Sequence, residues 1–255
     1  MTRKQVPLKK ISKRFAMTLT YLLWVSFALI VVGMFAIGNA VSLFAPEDFI
    51  YWISSPIGAL AFSVVIYSIA FFLTILPLLI QRNSFVEILQ KLGLKRPIRF
   101  QMLLWALFYQ GLFIGITILV VLVLSVIQIP NLDLAQEQEL SFNELSYWYE
   151  YVAAFVLLVV LAPVFEELIF RGYLYGRLRK YNGVIISMVL TSVFFGVVHG
   201  QANVAIVVGL LSVLMCLLRE KFDSVYPTIM MHVFQNGFAY IMLFIIPIYG
   251  LNLLQ

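Results

Sequence analysis

Seven apolar segments, most of them long enough to cross a lipid bilayer, dominate the sequence. They cover residues 16–44, 57–80, 102–127, 149–170, 184–199, 203–218 and 227–248. A membrane-spanning helix needs about 20 predominantly apolar residues. Because lipid offers no hydrogen-bond partners, the backbone must satisfy itself inside each helix. We therefore predict an all-α fold: a polytopic transmembrane helix bundle of about seven spans (six to eight), forming a single integral membrane domain over residues 1–255.

Composition argues against a soluble domain with one anchor. The chain is 63% hydrophobic and 11% charged, whereas soluble domains are about 45–50% apolar and about 25% charged. The apolar run from Ala16 to Phe44 is far longer than the ~7–15 residues of a signal-peptide core, so we interpret it as a retained span. The lone Cys216 excludes a disulfide framework and a thiolate-rich metal site.

The charged residues predict the topology. All Lys and Arg residues fall into four groups, at 3–14, 82–99, 171–180 and 219–221. Seven spans with a cytoplasmic N-terminus place every group on the cytoplasmic side, as the positive-inside rule requires. The net charge of +5 is thereby explained, so the expected partner is the lipid bilayer and no nucleic acid.

The segment 82–99 has helical apolar spacing beside cationic residues. Phe85, Ile88, Leu89 and Leu92 recur at that spacing, which is typical of a short amphipathic helix on the inner leaflet. A solvated loop is the alternative at this stage. We assign it to a variable N-terminal part, residues 1–150, that precedes a core segment at 150–240.

Ionisable residues inside apolar segments are the candidate functional residues. Such groups are costly in a membrane and are often functional. Glu166 and Glu167 lie in the fourth segment, and the two histidines of the chain, His199 and His232, lie in later ones. The amide of Asn236, four residues after His232, completes a coherent polar set.

Helix geometry separates these residues. Glu167 and Arg171 lie on one helix face at i,i+4, so Arg171 can neutralise Glu167. Glu166 projects about 100° away and can face the bundle interior. A turn near residues 182–183 would place Glu166 and His199 at one depth, whereas helix rise alone puts His232 on the order of 10 Å nearer the cytoplasmic face. Helix tilt, or a cytosolic turn drawn into the bundle, would remove this offset.

The fifth and sixth segments are short, and small residues accompany them. Both have about 16 residues, and the polar HGQAN between them predicts a hairpin that ends inside the membrane at a cavity holding His199. Gly172 with Gly176, and Gly196 with Gly200, form small-xxx-small pairs. These pairs would let the fourth and fifth spans approach closely.

Three motifs in order resemble those of a known family. They are Glu166-Glu167-x-x-x-Arg171, Phe195-x-x-x-His199 and His232-x-x-x-Asn236. The chain resembles the CPBP intramembrane proteases, the group of type II CAAX prenyl proteases and Abi proteins, over roughly residues 150–240. The resemblance implies an endopeptidase whose active site lies between spans four, five and seven.

The resemblance also implies residue roles. Glu166 with His199 would activate the attacking water, His232 and Asn236 would stabilise the oxyanion, and Glu167 and Arg171 would support the site. Metal dependence is open: His199, His232 and Glu166 could form a three-ligand zinc site, but the HExxH spacing is absent. We favour a metal-free mechanism.

Two other function classes remain at this stage. A non-catalytic membrane scaffold or regulator is the first, and a proton-coupled transporter using Glu and His is the second. For the protease, the expected partner is a membrane-associated peptide or protein, prenylated or not. The compact chain and basic N-terminus suggest a bacterial plasma membrane.

Overall fold

The computed structural model of the protein describes residues 43–94, 97–127, 132–134, 136 and 145–249. Within these residues all regular secondary structure is helical, which confirms the all-α helical bundle. Five helices are long and apolar enough to cross a membrane: α2 (Pro56–Ile80), α4 (Phe100–Ile127), α5 (Trp148–Leu178), α7 (Ala202–Phe222) and α8 (Tyr226–Ile248). Three helices are shorter: α1 (Glu47–Ile53), α3 (Phe85–Lys91) and the apolar α6 (Val184–Val197).

The helix bounds follow the predicted segments with two differences. The predicted span 16–44 lies outside the described residues except for its last two. Helix α5 continues to Leu178, 31 residues in all, and α7 continues to Phe222, 21 residues. The fifth and sixth segments were both expected to be short, but only α6, with 14 residues, is a short helix. Helix α7 continues past the predicted apolar segment into charged residues, because Arg219 is buried and donates a hydrogen bond to Asp223 one turn later.

Helices α6 and α7 form a tight antiparallel hairpin. Its turn follows His199, and Gly200 adopts a φ of +78°, a left-handed conformation that favours glycine. A Cβ on Gly196 would lie 2.6 Å from the carbonyl oxygen of Ala205, so glycine lets α6 approach α7. The hairpin thereby fixes the position of His199 at the end of α6.

The glycine pairs do not join the fourth and fifth spans as expected. Gly196 faces Ala205 on α7, and Gly172 faces the segment after α3, where a Cβ would lie 2.7 Å from the Leu92 carbonyl oxygen. Gly176 has no atom within 4 Å of its Cβ position. Gly172 and Gly196 do mark close approaches, but their neighbours are not the ones expected from the spacing.

The segment after α2 contains a short capped helix. Ser84 and Glu87 form a reciprocal capping box at the start of α3, and the hydrogen bonds from Ser84 lower the pKa of the Glu87 carboxyl. Ile88 is buried, whereas Phe85 and Val86 are exposed. A helix therefore exists within 82–99, and its place on the inner leaflet stays a prediction.

Candidate active site

The four predicted catalytic residues line one cavity of about 760 Å³. Glu166 reaches it from α5, His199 from the end of α6, and His232 and Asn236 from α8. Its remaining walls are mostly apolar and come from α2, α4, α5, α7 and α8. The fold thus brings together residues separated by up to 70 positions in the sequence.

The two carboxylate oxygens of Glu166 have different neighbours. Its Oε1 accepts a hydrogen bond of 2.7 Å from the hydroxyl group of Tyr67 on α2. Its Oε2 lies 3.8 Å from Nε2 of His232, and the side chain is 18% exposed. The carboxylate is therefore anchored at one oxygen and open to the cavity near the other.

Glu167 has a second role beside the predicted ion pair. The Glu167 and Arg171 side chains are both fully buried, and Nη1 of Arg171 lies 2.6 Å from Oε1 of Glu167. The same Oε1 lies 3.0 Å from Nδ1 of His232. Since an ionised carboxylate only accepts, Nδ1 of His232 is the donor. Glu167 thereby fixes the orientation of the His232 ring.

His232 lies at the depth of Glu166, so the offset of about 10 Å that helix rise suggested is absent. The turn before α8 is drawn into the protein: Ser224 and Val225 are fully buried, and the Val225 N–H donates to the carbonyl oxygen of Gly93. The sequence left helix tilt and a turn drawn into the bundle as two ways to remove the offset. The burial of this turn raises the start of α8 and brings the imidazole to the carboxylates.

Phe195 packs at the centre of the motif residues. It is fully buried, with its ring centroid 5.0 Å from that of His199 and 5.8 Å from that of His232. The guanidinium carbon of Arg171 lies 4.2 Å from the Phe195 ring centroid, a cation–π contact. Phe195 therefore holds both histidines and the buried cation in fixed relation.

The tautomer of His199 follows from its hydrogen bond. Its Nδ1 lies 2.7 Å from the Phe195 carbonyl oxygen. A carbonyl oxygen can only accept, so Nδ1 holds the proton. In the neutral ring Nε2 is then an acceptor, able to bind a hydrogen of a water molecule.

Asn236 is anchored on an irregular turn of α5. Its Nδ2 donates to the Leu158 carbonyl oxygen at 2.8 Å. Helix α5 is π-helical over Val156–Leu161, and the Ala162 N–H bonds to Leu157 instead of Leu158. The next residue, Pro163, has no N–H. The Leu158 carbonyl is therefore left for Asn236.

Replacing Pro163 with alanine is expected to lower activity without lowering stability. The new N–H at 163 can donate to the Leu158 oxygen and displace Asn236. A proline inside a helix costs about 3 kcal/mol where nothing compensates it, so the unfolding free energy should stay equal or rise. Turnover of a cleaved peptide should fall about tenfold or more, because the family resemblance implies that Asn236 is an oxyanion donor and such a donor contributes about 10²–10³ in kcat.

Pro56→Ala is the matched control for this experiment. Pro56 begins α2, where the first N–H has no helical acceptor in any case. Thermal unfolding and peptide turnover are measured on both variants in nanodiscs. Unchanged turnover in Pro163→Ala would show that Asn236 does not depend on the proline.

The nominated zinc ligands do not form a metal cluster. Across the part of the chain that the structure describes, no group of three or more His, Cys, Asp or Glu side chains is arranged to hold a metal ion. Nδ1 of His199 and Nδ1 of His232 are each engaged by protein acceptors. His199, His232 and Glu166 share the cavity without converging on one point.

Tyr67 and Gln235 are polar cavity residues that the sequence did not indicate. Tyr67 bonds Glu166, and Gln235 lines the cavity while its Oε1 accepts from Gln110 of α4. One signal existed for Tyr67. Tyrosine in membrane helices prefers the two interfaces, yet Tyr67 is the twelfth of the 25 residues of α2.

The fold and cavity define a multi-spanning helical membrane protein with a buried acid–histidine site. Residues 148–238 match the model of the Rce1-like family, described as type II CAAX prenyl endopeptidase Rce1-like. This match to part of the chain confirms the predicted resemblance to the CAAX-type endopeptidase family. No curated protein and no solved structure matches the chain.

Proposed function

We propose that the protein is an intramembrane endopeptidase that hydrolyses peptide bonds of membrane-associated proteins or peptides with a water activated by Glu166 and His199. The observation that supports this most is the convergence of four polar candidates on one cavity among apolar helices. The family match to a prenyl endopeptidase supports the same reaction class. A cavity is required because hydrolysis needs water where lipid excludes it.

Glu166 is the proposed general base. Its Oε2 is not the oxygen that Tyr67 holds, so it can take a proton from a water molecule in the cavity. The neutral His199, protonated at Nδ1, can orient that water through Nε2. The proton that Glu166 gains then passes to the leaving amine as the peptide bond breaks.

His232 and Asn236 are the proposed oxyanion donors. Asn236 uses one N–H on Leu158 and has a second for the substrate. His232 donates Nδ1–H to Glu167, so Nε2 donates only in the doubly protonated ring. The carboxylates of Glu166 and Glu167 lie beside the two ring nitrogens of His232. Donors in a site with little water contribute strongly to a developing oxyanion.

The substrate class is limited by the cavity and the membrane. Apolar side chains such as Phe62, Ile66 and Phe113 line much of the cavity, which favours apolar peptide segments. Prenylated CAAX proteins and other membrane peptides are both compatible with it. The charge distribution supports a cytoplasmic N-terminus in a bacterial plasma membrane.

Peptide cleavage in lipid nanodiscs tests the proposal. The purified protein is incubated with a membrane-peptide library in ¹⁸O-labelled water, with Glu166→Gln in parallel, and the products are read by mass spectrometry. We expect new carboxyl ends carrying ¹⁸O from the wild type alone. Equal cleavage by both proteins would indicate a contaminant or a different base, and no cleavage by either would favour a scaffold.

Activity is expected to survive exhaustive chelation. In the proposed mechanism Glu166 and His199 activate the water, so no metal ion is needed. Initial rates are compared before and after dialysis against a strong chelator, with metal content measured in the same samples. A rate that falls with the zinc content and returns only on adding zinc would overturn the metal-free mechanism.

A further inference from the structure

Tyr67 on α2 touches the proposed general base from outside the family-matched segment. Its hydroxyl group donates to Oε1 of Glu166 at 2.7 Å, and the residue lines the same cavity. The match to the family begins at residue 148. None of the three motifs includes any residue of α2.

We propose that Tyr67 is a positioning residue of the active site: its hydroxyl holds Oε1 of Glu166, so that Oε2 is the oxygen that accepts the proton of the attacking water. The proposal rests on the proposed peptidase function. A carboxylate can otherwise turn about its last side-chain bond and present either oxygen. With Oε1 held, the oxygen that accepts the proton has one fixed position relative to His199 and His232.

The ring of Tyr67 is itself held in place by packing. It stacks on Phe165, with ring centroids 5.6 Å apart and planes 10° apart. Phe71, one turn further along α2, meets the same Phe165 ring edge-on at 5.7 Å. Phe165 directly precedes Glu166, so this aromatic cluster joins α2 to α5 beside the carboxylate. The hydroxyl therefore meets Oε1 with little freedom on either side.

The opposite side of the carboxylate supports the same assignment. Oε2 lies 3.8 Å from Nε2 of His232, beyond hydrogen-bond distance. Oε2 thus keeps a lone pair for water, while Oε1 is engaged. Tyr67 acts through Glu166 and has no assigned contact with the reacting atoms.

Kinetics of Tyr67→Phe test the role of the hydroxyl. Its loss should lower kcat about 10- to 100-fold, the range expected for one hydrogen bond to a charged group, and leave KM within about twofold. Tyr151→Phe is the matched control, because its hydroxyl donates to the Leu145 carbonyl oxygen outside the cavity. That variant should keep wild-type kcat, and both should unfold at similar temperatures.

A fluorinated tyrosine at position 67 provides rescue and a readout without substrate. 3-Fluorotyrosine keeps the hydroxyl and should restore kcat to within about threefold of the wild type. Its ¹⁹F chemical shift should move on Glu166→Gln and stay unchanged on Glu220→Gln, since Glu220 pairs with Arg179 and Tyr175 instead.

Two results would overturn the proposal. The first is a kcat of Tyr67→Phe above half of the wild-type value, and the second is a ¹⁹F chemical shift that stays unchanged on Glu166→Gln. If the wild type cleaves no peptide at all, the peptidase function fails on its own. The ¹⁹F measurement then still decides whether Tyr67 holds the Glu166 carboxylate.

Discussion

Glu166→Gln is expected to lower peptide turnover by about 10²- to 10⁴-fold, the usual contribution of general acid–base catalysis. Glutamine keeps the size of the side chain, and its amide oxygen can still accept from Tyr67. It cannot take a proton from water at neutral pH. Binding should persist, because the change leaves the apolar cavity walls intact, so KM should change much less than kcat.

Glu220→Gln is the control for a lost carboxylate. Glu220 bonds Arg179 and Tyr175 and lies outside the cavity. Turnover should remain near wild type in this variant, with a similar unfolding temperature for both proteins. A Glu166→Gln enzyme that retained a tenth of wild-type kcat would remove Glu166 as the base.

Arg171→Met is expected to destabilise the protein by about 3–5 kcal/mol, the cost of leaving one partner of a buried ion pair uncompensated. Glu167 and Arg171 are both 0% exposed in their side chains, so Glu167 would keep a charge away from water with only the Nδ1–H of His232 beside it. The Phe195 ring would also lose its cationic neighbour. Reversible unfolding in mixed micelles, followed by circular dichroism, measures the change.

The double variant Glu167→Gln/Arg171→Met separates stability from function. Removing both charges should recover most of the unfolding free energy, because a neutral pair avoids the desolvation cost. Turnover should stay low, since the hydrogen bond from Nδ1 of His232 would then end on a neutral amide oxygen instead of a charged carboxylate. Full recovery of both quantities would show that Glu167 serves the fold alone.

The sequence alone predicted the class of fold, and the catalytic candidates it singled out lie in one cavity. Apolar length identified every described span, because lipid imposes that length on each helix. Placing Glu166 and His199 at one depth needed only the helix rise and one turn, and both residues do line one cavity. These features depend on properties of single segments and their immediate order.

Features that depend on contacts between distant segments were not predictable in this way. The hydroxyl of Tyr67 meets Glu166 across 99 positions of sequence, and nothing in α2 itself specifies that neighbour. The position of His232 depends on a turn buried against Gly93. The contact between Glu167 and His232 depends on the same buried turn, because that turn brings the imidazole of α8 to the carboxylate.

The π-helical turn at Val156–Leu161 sets the rotational register of everything after it in α5. A π turn holds one residue more than the hydrogen bonding of a regular α-helix would. If all of these residues were wound as a regular α-helix, Glu166 would be turned by about 100° around the helix axis and shifted by about 1.5 Å relative to the preceding turns. The carboxylate would then face a wall of the bundle, while the length of the span changed by less than a tenth.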